Sequence, residues 1–214
     1  MARILIQNGT IVTLGNSNRV LYDHAILIDG NRITRIAPLA QIQKEIATRA
    51  PDETLDARGQ LVMPGLINAH MHFYSTFARG LGKAKASHNF NEVQQNLWWK
   101  LDRALTLEDC GISALVPLLS AIRAGTTTLV DHHASPNAVR GSLQKIAESV
   151  KQSGLRAALC YEVSDRDGEK IAAEGLAENA QFIRECRAAR NEHLAALFGL
   201  HASFTVGDAT LDKA

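Results

Sequence analysis

Residues 62–72 read Val62-Met63-Pro64-Gly65-Leu66-Ile67-Asn68-Ala69-His70-Met71-His72, and the architecture turns on how that stretch folds. Pro64-Gly65 marks a turn, and Leu66–Ala69 is a short apolar run with strand character. His70 and His72 follow directly. On a strand, residues i and i+2 point to one side, about 6.5 Å apart along the chain. Two imidazoles so placed can reach a single divalent ion, and nitrogen ligands suit Zn²⁺, Fe²⁺ or Mn²⁺ without choosing among them. Stripped of context, such a pair reads more simply as two surface histidines. The strand and turn before it are what argue for ligation.

C-terminal to this stretch, a long polar and Gly-rich segment runs from Phe73 to Asn91. Helical periodicity then occupies about 93–104 and 107–124, the second helix opened by Thr106 as N-cap with Glu108 and Asp109 in its first turn. Gly125 ends it, and Thr126–Asp131 is a β-branched strand. Ala138–Ser153 reads as helix, Leu155–Val163 as strand, Glu169–Ala189 as helix and Leu194–Leu200 as strand, with a further turn-helix at Thr205–Lys213. Four strands joined by three helical connections predict parallel βαβ units with right-handed crossovers. Neither GxGxxG nor GxxxxGK[ST] occurs, which argues against an open nucleotide-binding sheet. The reading is an α/β fold, the first four βα units of a (β/α)8 barrel over 64–214. Barrel active sites lie at the C-terminal ends of the strands, where His70 and His72 sit. A complete barrel needs about 250 residues, so this portion is expected to be half of one.

N-terminal to Pro64, residues 3–7, 10–14, 24–29, 32–37 and 54–63 are β-rich, with a short helix at 39–49. Asn8-Gly9 and Asp29-Gly30 supply the positive φ angles of tight turns. Residues 1–63 are expected to form a small antiparallel β unit, part of a β-sandwich that needs further strands.

The whole sequence has 214 residues with 23 Lys+Arg against 22 Asp+Glu, a formal net charge of +1. That balance gives no electrostatic reason to expect nucleic acid or an anionic membrane as partner. Apolar residues make up 46%, enough to bury a core and to exclude disorder as the dominant state. No apolar run approaches the roughly 20 residues of a membrane span. Cys110, Cys160 and Cys186 form no CxxC, so neither a disulfide framework nor a Cys-based zinc site is expected, and a reducing cytoplasm fits.

Residues 62–72 resemble the metal-binding signature of the amidohydrolase superfamily, in its cytosine deaminase, guanine deaminase and chlorohydrolase branch. Gly125–Asp131 (GTTTLVD) resembles that branch's second barrel strand, and Leu200–Val206 (LHASFTV) the fourth-strand segment of its adenosine-type deaminases. Asn96–Leu105 together with Asp131–Pro136 resemble the narrower group of aminohydrolases called SsnA, linked to selenium-dependent purine metabolism. The resemblance implies a distorted barrel flanked by a β-sandwich and one divalent metal, zinc first, held by His70, His72, a fifth-strand histidine and an eighth-strand aspartate. It implies attack of an activated water on an amidine-like carbon of a small heterocycle, with ammonia leaving. Dechlorination or cyclic-amide hydrolysis uses the same water. The fifth-strand His and Glu, the sixth-strand His and the final Asp have no counterparts here. Alone, the chain is therefore expected to be inactive, either half of a homo-oligomeric enzyme that needs its C-terminal half or a catalytically dead remnant.

Other residues carry two readings each. His201 sits where relatives contact substrate, or is structural. His132 and His133 are strand neighbours whose side chains diverge, so at most one faces the barrel mouth; His132 is the one taken as a substrate contact. Asp131 either orients a ligand histidine or caps the turn after it. Arg79 is a solvated loop residue or meets a substrate oxygen. Trp98 and Trp99 are core first and a stacking wall second. Glu162, at the end of the third barrel strand, could face the pocket. Cys160 reads as a buried small hydrophobe, and His24, His88 and His193 are assigned nothing.

Overall fold

A computed structural model describes residues 2–82 and 85–214. The chain divides into two units, Met1–Pro64 and Gly65–Ala214.

In the first unit, β1 (Arg3–Gln7), β4 (His24–Asp29), β5 (Arg32–Pro38) and β6 (Glu53–Asp56) form a sheet in the order β5-β4-β1-β6. A second sheet orders β3 (Val20–Leu21), β2 (Thr10–Val12) and β7 (Leu61–Val62) as β3-β2-β7. The unit is mixed rather than antiparallel, because β1 pairs with β6 and β2 with β7 in parallel. The cause is local. Asn8 (φ 60°) breaks β1 from β2, and Arg58 and Gly59 (φ 49° and 78°) break the expected strand 54–63 into β6 and β7. Both chain passes thus step together from one sheet to the other. Gly9 permits their close approach, since a Cβ there would lie 2.7 Å from Val62 Cγ2. The helix α1 (Leu39–Ile46) seats Ile42 against Leu5, Ala25, Leu27 and Ala37.

In the second unit, β8 (Leu66–Met71), β9 (Thr126–His133), β10 (Arg156–Tyr161) and β11 (Leu194–Ala196) form a wholly parallel sheet ordered as in the sequence. The expected βαβ connections are present. α4 (Leu107–Arg123) carries a complete Thr106/Asp109 capping box, α5 is Ser142–Ser153, and α6 is Glu169–Ala189 as expected. Leu118, Leu129, Leu143, Ile146, Val150 and Leu159 bury the helix faces on the sheet. β8 is an edge strand, and Ile67 is 68% exposed on it.

Boundaries differ where side chains compete with the ladder. The stretch after His72, read as loop, opens with a 3₁₀ helix Phe73–Ala78 that buries Phe73 and Tyr74. The helix read at 93–104 is α2 (Phe90–Val93), a π-turn at Gln94–Trp98 and α3 (Trp99–Ala104). α5 starts four residues late because Gly141 adopts the left-handed conformation (φ 81°), with Glu178 accepting from Gly141 N and Leu143 N at 2.9 and 3.1 Å. β10 and β11 part beyond Ala196 and meet again only at a Val163–Leu200 bridge. Asn179 of α6 fills that gap. It accepts from Tyr161 N at 2.8 Å and donates to Tyr161 O and Gly199 O at 2.9 and 3.2 Å. A short α7 (Asp208–Leu211) follows.

Candidate active site

His70 lies inside β8 and His72 one residue beyond it, their ring centroids 5.1 Å apart and nearly perpendicular. His72 Nδ1 lies 2.8 Å from the His132 carbonyl oxygen, which can only accept. The proton therefore sits on Nδ1, and Nε2 keeps its lone pair, the arrangement of a metal-ligating imidazole oriented by a carbonyl. Burial holds the His72 pKa below the ordinary value, and the His132 carbonyl opposes that shift. A neutral ring is the form that binds metal.

The pleat separates the two histidines at the end of β9. His132 turns toward the pair, its ring centroid 4.5 Å from that of His70 and 6.0 Å from that of His72. His133 turns into the core, fully buried, with Nε2 2.9 Å from Ser135 Oγ. Burial pushes its pKa down to about 3. Asp131, on the same side as His133, does not cap its own turn: Oδ1 accepts from Phe73 N at 2.6 Å and so fixes the chain just after His72. Burial raises its pKa to about 8.

A cavity of about 460 Å³ opens at these strand ends, with His70, His72, Tyr74, Trp98, Glu162 and His201 among its walls. Glu162 follows β10, its backbone N–H held by His133 O at 2.7 Å. Its Oε1 lies 3.7 Å from His72 Nδ1. Burial, reinforced by Asp131, raises its pKa to about 8. His201 Nδ1 lies 2.7 Å from Thr205 Oγ1, which is also 2.8 Å from Ala202 O. The hydroxyl gives its one proton to that carbonyl and accepts from His201, leaving His201 Nε2 as an acceptor. Burial, then the Arg166 charge, lowers the His201 pKa.

Of the residues singled out in the sequence, His70, His72, His201 and Glu162 meet at one cavity, and His132 stacks beside His70. Trp98 also lines the cavity, whereas Trp99 lies under the Arg166 guanidinium, 5.3 Å from its ring centre. Arg79 borders a second groove with Met71, Pro117 and Ser120, which shares His72 and Ser75 with the cavity. Cys160 is buried, its Sγ 3.7 Å from His132 Nδ1 and its pKa pushed up to about 12 by burial, an inert thiol. His24 and His193 contact backbone carbonyls elsewhere, and the His88 N–H bonds Glu92.

Two features had no local signal. Tyr74 on the 3₁₀ helix stands edge-on to both His72 and Trp98. Asp102 and Arg166, 64 residues apart, form a buried ion pair at 2.5 Å. Burial raises the Asp102 pKa to about 6 although Arg166 pulls it down.

Among the described residues no group of three or more His, Cys, Asp or Glu is arranged to hold a metal ion. His70 and His72 nevertheless fit two positions of a divalent site, by their spacing and by the free Nε2 of His72.

A sequence model of the Amidohydrolase family matches residues 61–214, and one of the NagA composite domain matches residues 5–51. The chain is 28% identical to a 5'-deoxyadenosine deaminase of Methanosarcina barkeri, over 100% of this chain and 45% of the relative. It is 31% identical to a 5-methylthioadenosine/S-adenosylhomocysteine deaminase of Thermococcus kodakarensis, over 98% of this chain and 45% of that one. Among solved structures, a zinc-bound adenosine deaminase from Xanthomonas campestris superposes with a TM-score of 0.81 at 24% identity, covering 98% of this chain and 45% of the other. A triazine hydrolase from Arthrobacter superposes at 0.77 and 20% identity, with 100% and 49% covered. The chain thus spans about half the length of the relatives it matches.

Proposed function

Because this chain belongs to the amidohydrolase family, we propose that it forms the N-terminal part of a metal-dependent hydrolase that deaminates an adenosine-type or related purine heterocycle. The observation that carries the reading is His70 and His72 at the end of the first barrel strand, with His72 Nδ1 tied to the His132 carbonyl. Deaminases among the relatives support the reaction class.

His70 and His72 would supply two ligands to one divalent ion, zinc being what the adenosine deaminase structure holds. Bound there, the ion would supply a water acidified toward neutral pH as nucleophile. The His132 carbonyl keeps the His72 Nδ1 proton in place, so Nε2 stays a donor. Trp98 and Tyr74 offer flat apolar walls for a ring. His201, bound through Nδ1 to Thr205, offers Nε2 as acceptor for a substrate hydroxyl or N–H. Asp131 holds the turn after the ligands in register. The purine assignment also rests on the likeness of 96–105 and 131–136 to SsnA.

The test is ammonia release from adenosine-type substrates by the full-length protein that carries this chain, beside its H70A and H72A variants. Release that is abolished by either substitution, together with loss of bound zinc in equilibrium dialysis, supports the reading. Undiminished zinc binding in an H70A/H72A double variant overturns it.

A further inference from the structure

Glu162 is placed at the cavity without a task in the scheme above. It is 8% exposed, and its side-chain oxygens accept no hydrogen bond among the described residues. Neither oxygen is sealed off: with no protein donor taken up, both keep lone pairs open to the cavity, where a bound molecule can reach them. The nearest candidate, the His72 Nδ1 proton, is already given to the His132 carbonyl at 2.8 Å, against 3.7 Å to Glu162. Arg166, the nearby cation, is spent on Asp102 at 2.5 Å and Asp167 at 3.2 Å.

The position is rigid. The Glu162 backbone N–H is bonded to His133 O, and the adjoining Val163 bridges Leu200, whose neighbour His201 forms another wall of the same cavity. Tyr161 before it is held by Asn179 through both backbone groups. The carboxylate thus cannot swing away with its strand, and it faces the cavity. His201 and Glu162 both present acceptors there, from adjacent strand ends.

Resting on the hydrolase reading, we propose that Glu162 is a specificity-determining residue that accepts a hydrogen bond from a ring or exocyclic N–H of the bound heterocycle. The class selected is heterocycles with an N–H donor on the edge facing the third strand. Rings that carry only acceptors or an N-alkyl group there are rejected, since they leave the buried carboxylate unpaired.

The experiment uses the full-length zinc-loaded protein and its E162Q and E162A variants. Guanine and its 1-, 3-, 7- and 9-methyl isomers serve as competitive ligands, with zinc content measured in parallel. Measured at pH 8.5, where Glu162 is largely ionised, methylation at one nitrogen should weaken binding to the wild type by about 10- to 100-fold, the worth of a charge-assisted hydrogen bond. In E162A that penalty should vanish, and in E162Q guanine itself should bind roughly 10-fold more weakly. Three results overturn the inference: an equal methylation penalty in wild type and E162A, no binding of any of these bases to the wild type, or a fall in zinc affinity of E162Q with unchanged base affinity. The last would make Glu162 a support for His72. Each of them leaves the hydrolase reading standing as long as zinc binding and ammonia release survive in the wild type, whereas loss of both removes the two together.

Discussion

Replacing Asn179 by Leu keeps the branched outline of the side chain and removes three hydrogen bonds at the point where β10 and β11 separate. The structure apportions the cost. Tyr161 N loses its one partner among the described residues, and an orphaned buried N–H costs about 1–3 kcal/mol. Tyr161 O and Gly199 O each keep Val163 N, at 3.1 and 3.3 Å, so each loses one of two partners, about 1 kcal/mol apiece. The total is about 4 kcal/mol, which at a urea dependence of about 2 kcal/mol per molar lowers the unfolding midpoint by roughly 2 M. Trp98 and Trp99 are the only tryptophans in these 214 residues and both lie in the second unit, so their fluorescence reports that unit's unfolding. Because Tyr161 precedes Glu162 and Gly199 lies two before His201, ligand affinity should fall as well. An N179L midpoint within 0.5 M of wild type would refute this account of how the two strand ends are held.

Gly199→Ala should destabilise by about 1–3 kcal/mol or more, since its Cβ would lie 2.5 Å from Tyr161 O, which is backbone and cannot step aside; thermal unfolding checks it. Gly65→Ala places a Cβ 2.1 Å from Thr127 Cγ2, and here the obstacle is a side chain, so the double variant G65A/T127G should recover most of the lost stability. Asp131 and His133 oppose each other in pH. The raised Asp131 pKa stabilises below about 4 and is lost as pH rises through 8, while the depressed His133 pKa stabilises above about 6.5 and is lost as pH falls toward 3. H133Q should therefore make stability fall more steeply with rising pH between pH 4.5 and 6.5 than it does in the wild type, measured by urea titration at each pH. Asp102→Asn removes one of the two carboxylates on Arg166 and leaves Asp167 as its partner, so it should cost about 1–3 kcal/mol at pH 7 but less at pH 4, where the native Asp102 carboxyl, with its pKa near 6, is already neutral; urea titration at both pH values checks it.

The parallel order of the second unit was legible because strand and helix alternate with clear caps: Thr106 opens α4, Gly154 closes α5, and α6 falls where its periodicity ends. The divergence of His132 and His133 followed from the pleat alone, and His70 and His72 from their spacing. What escaped depends on distant partners. Nothing near residue 74 announces that a 3₁₀ turn will carry Tyr74 into the cavity, because its burial is set by Trp98 and His133. Asn179 reads as an ordinary helix residue until the two strands it bridges are known. In the first unit, alternation identified most of the strands but missed β3, ran β6 and β7 together and left their direction open, which is decided by Asn8, Arg58 and Gly59 stepping two distant passes between sheets together.

The sheet of the second unit is laid down in the order in which it is synthesised. Each new strand docks on the one made immediately before it, so a nascent chain emerging from the ribosome can add βα units one after another without waiting for a distant partner. The His132 carbonyl that sets the tautomer of His72 arrives with the very next strand. The proposed ligand pair, His70 and His72, can thus be oriented during translation as soon as the second strand of this sheet has docked.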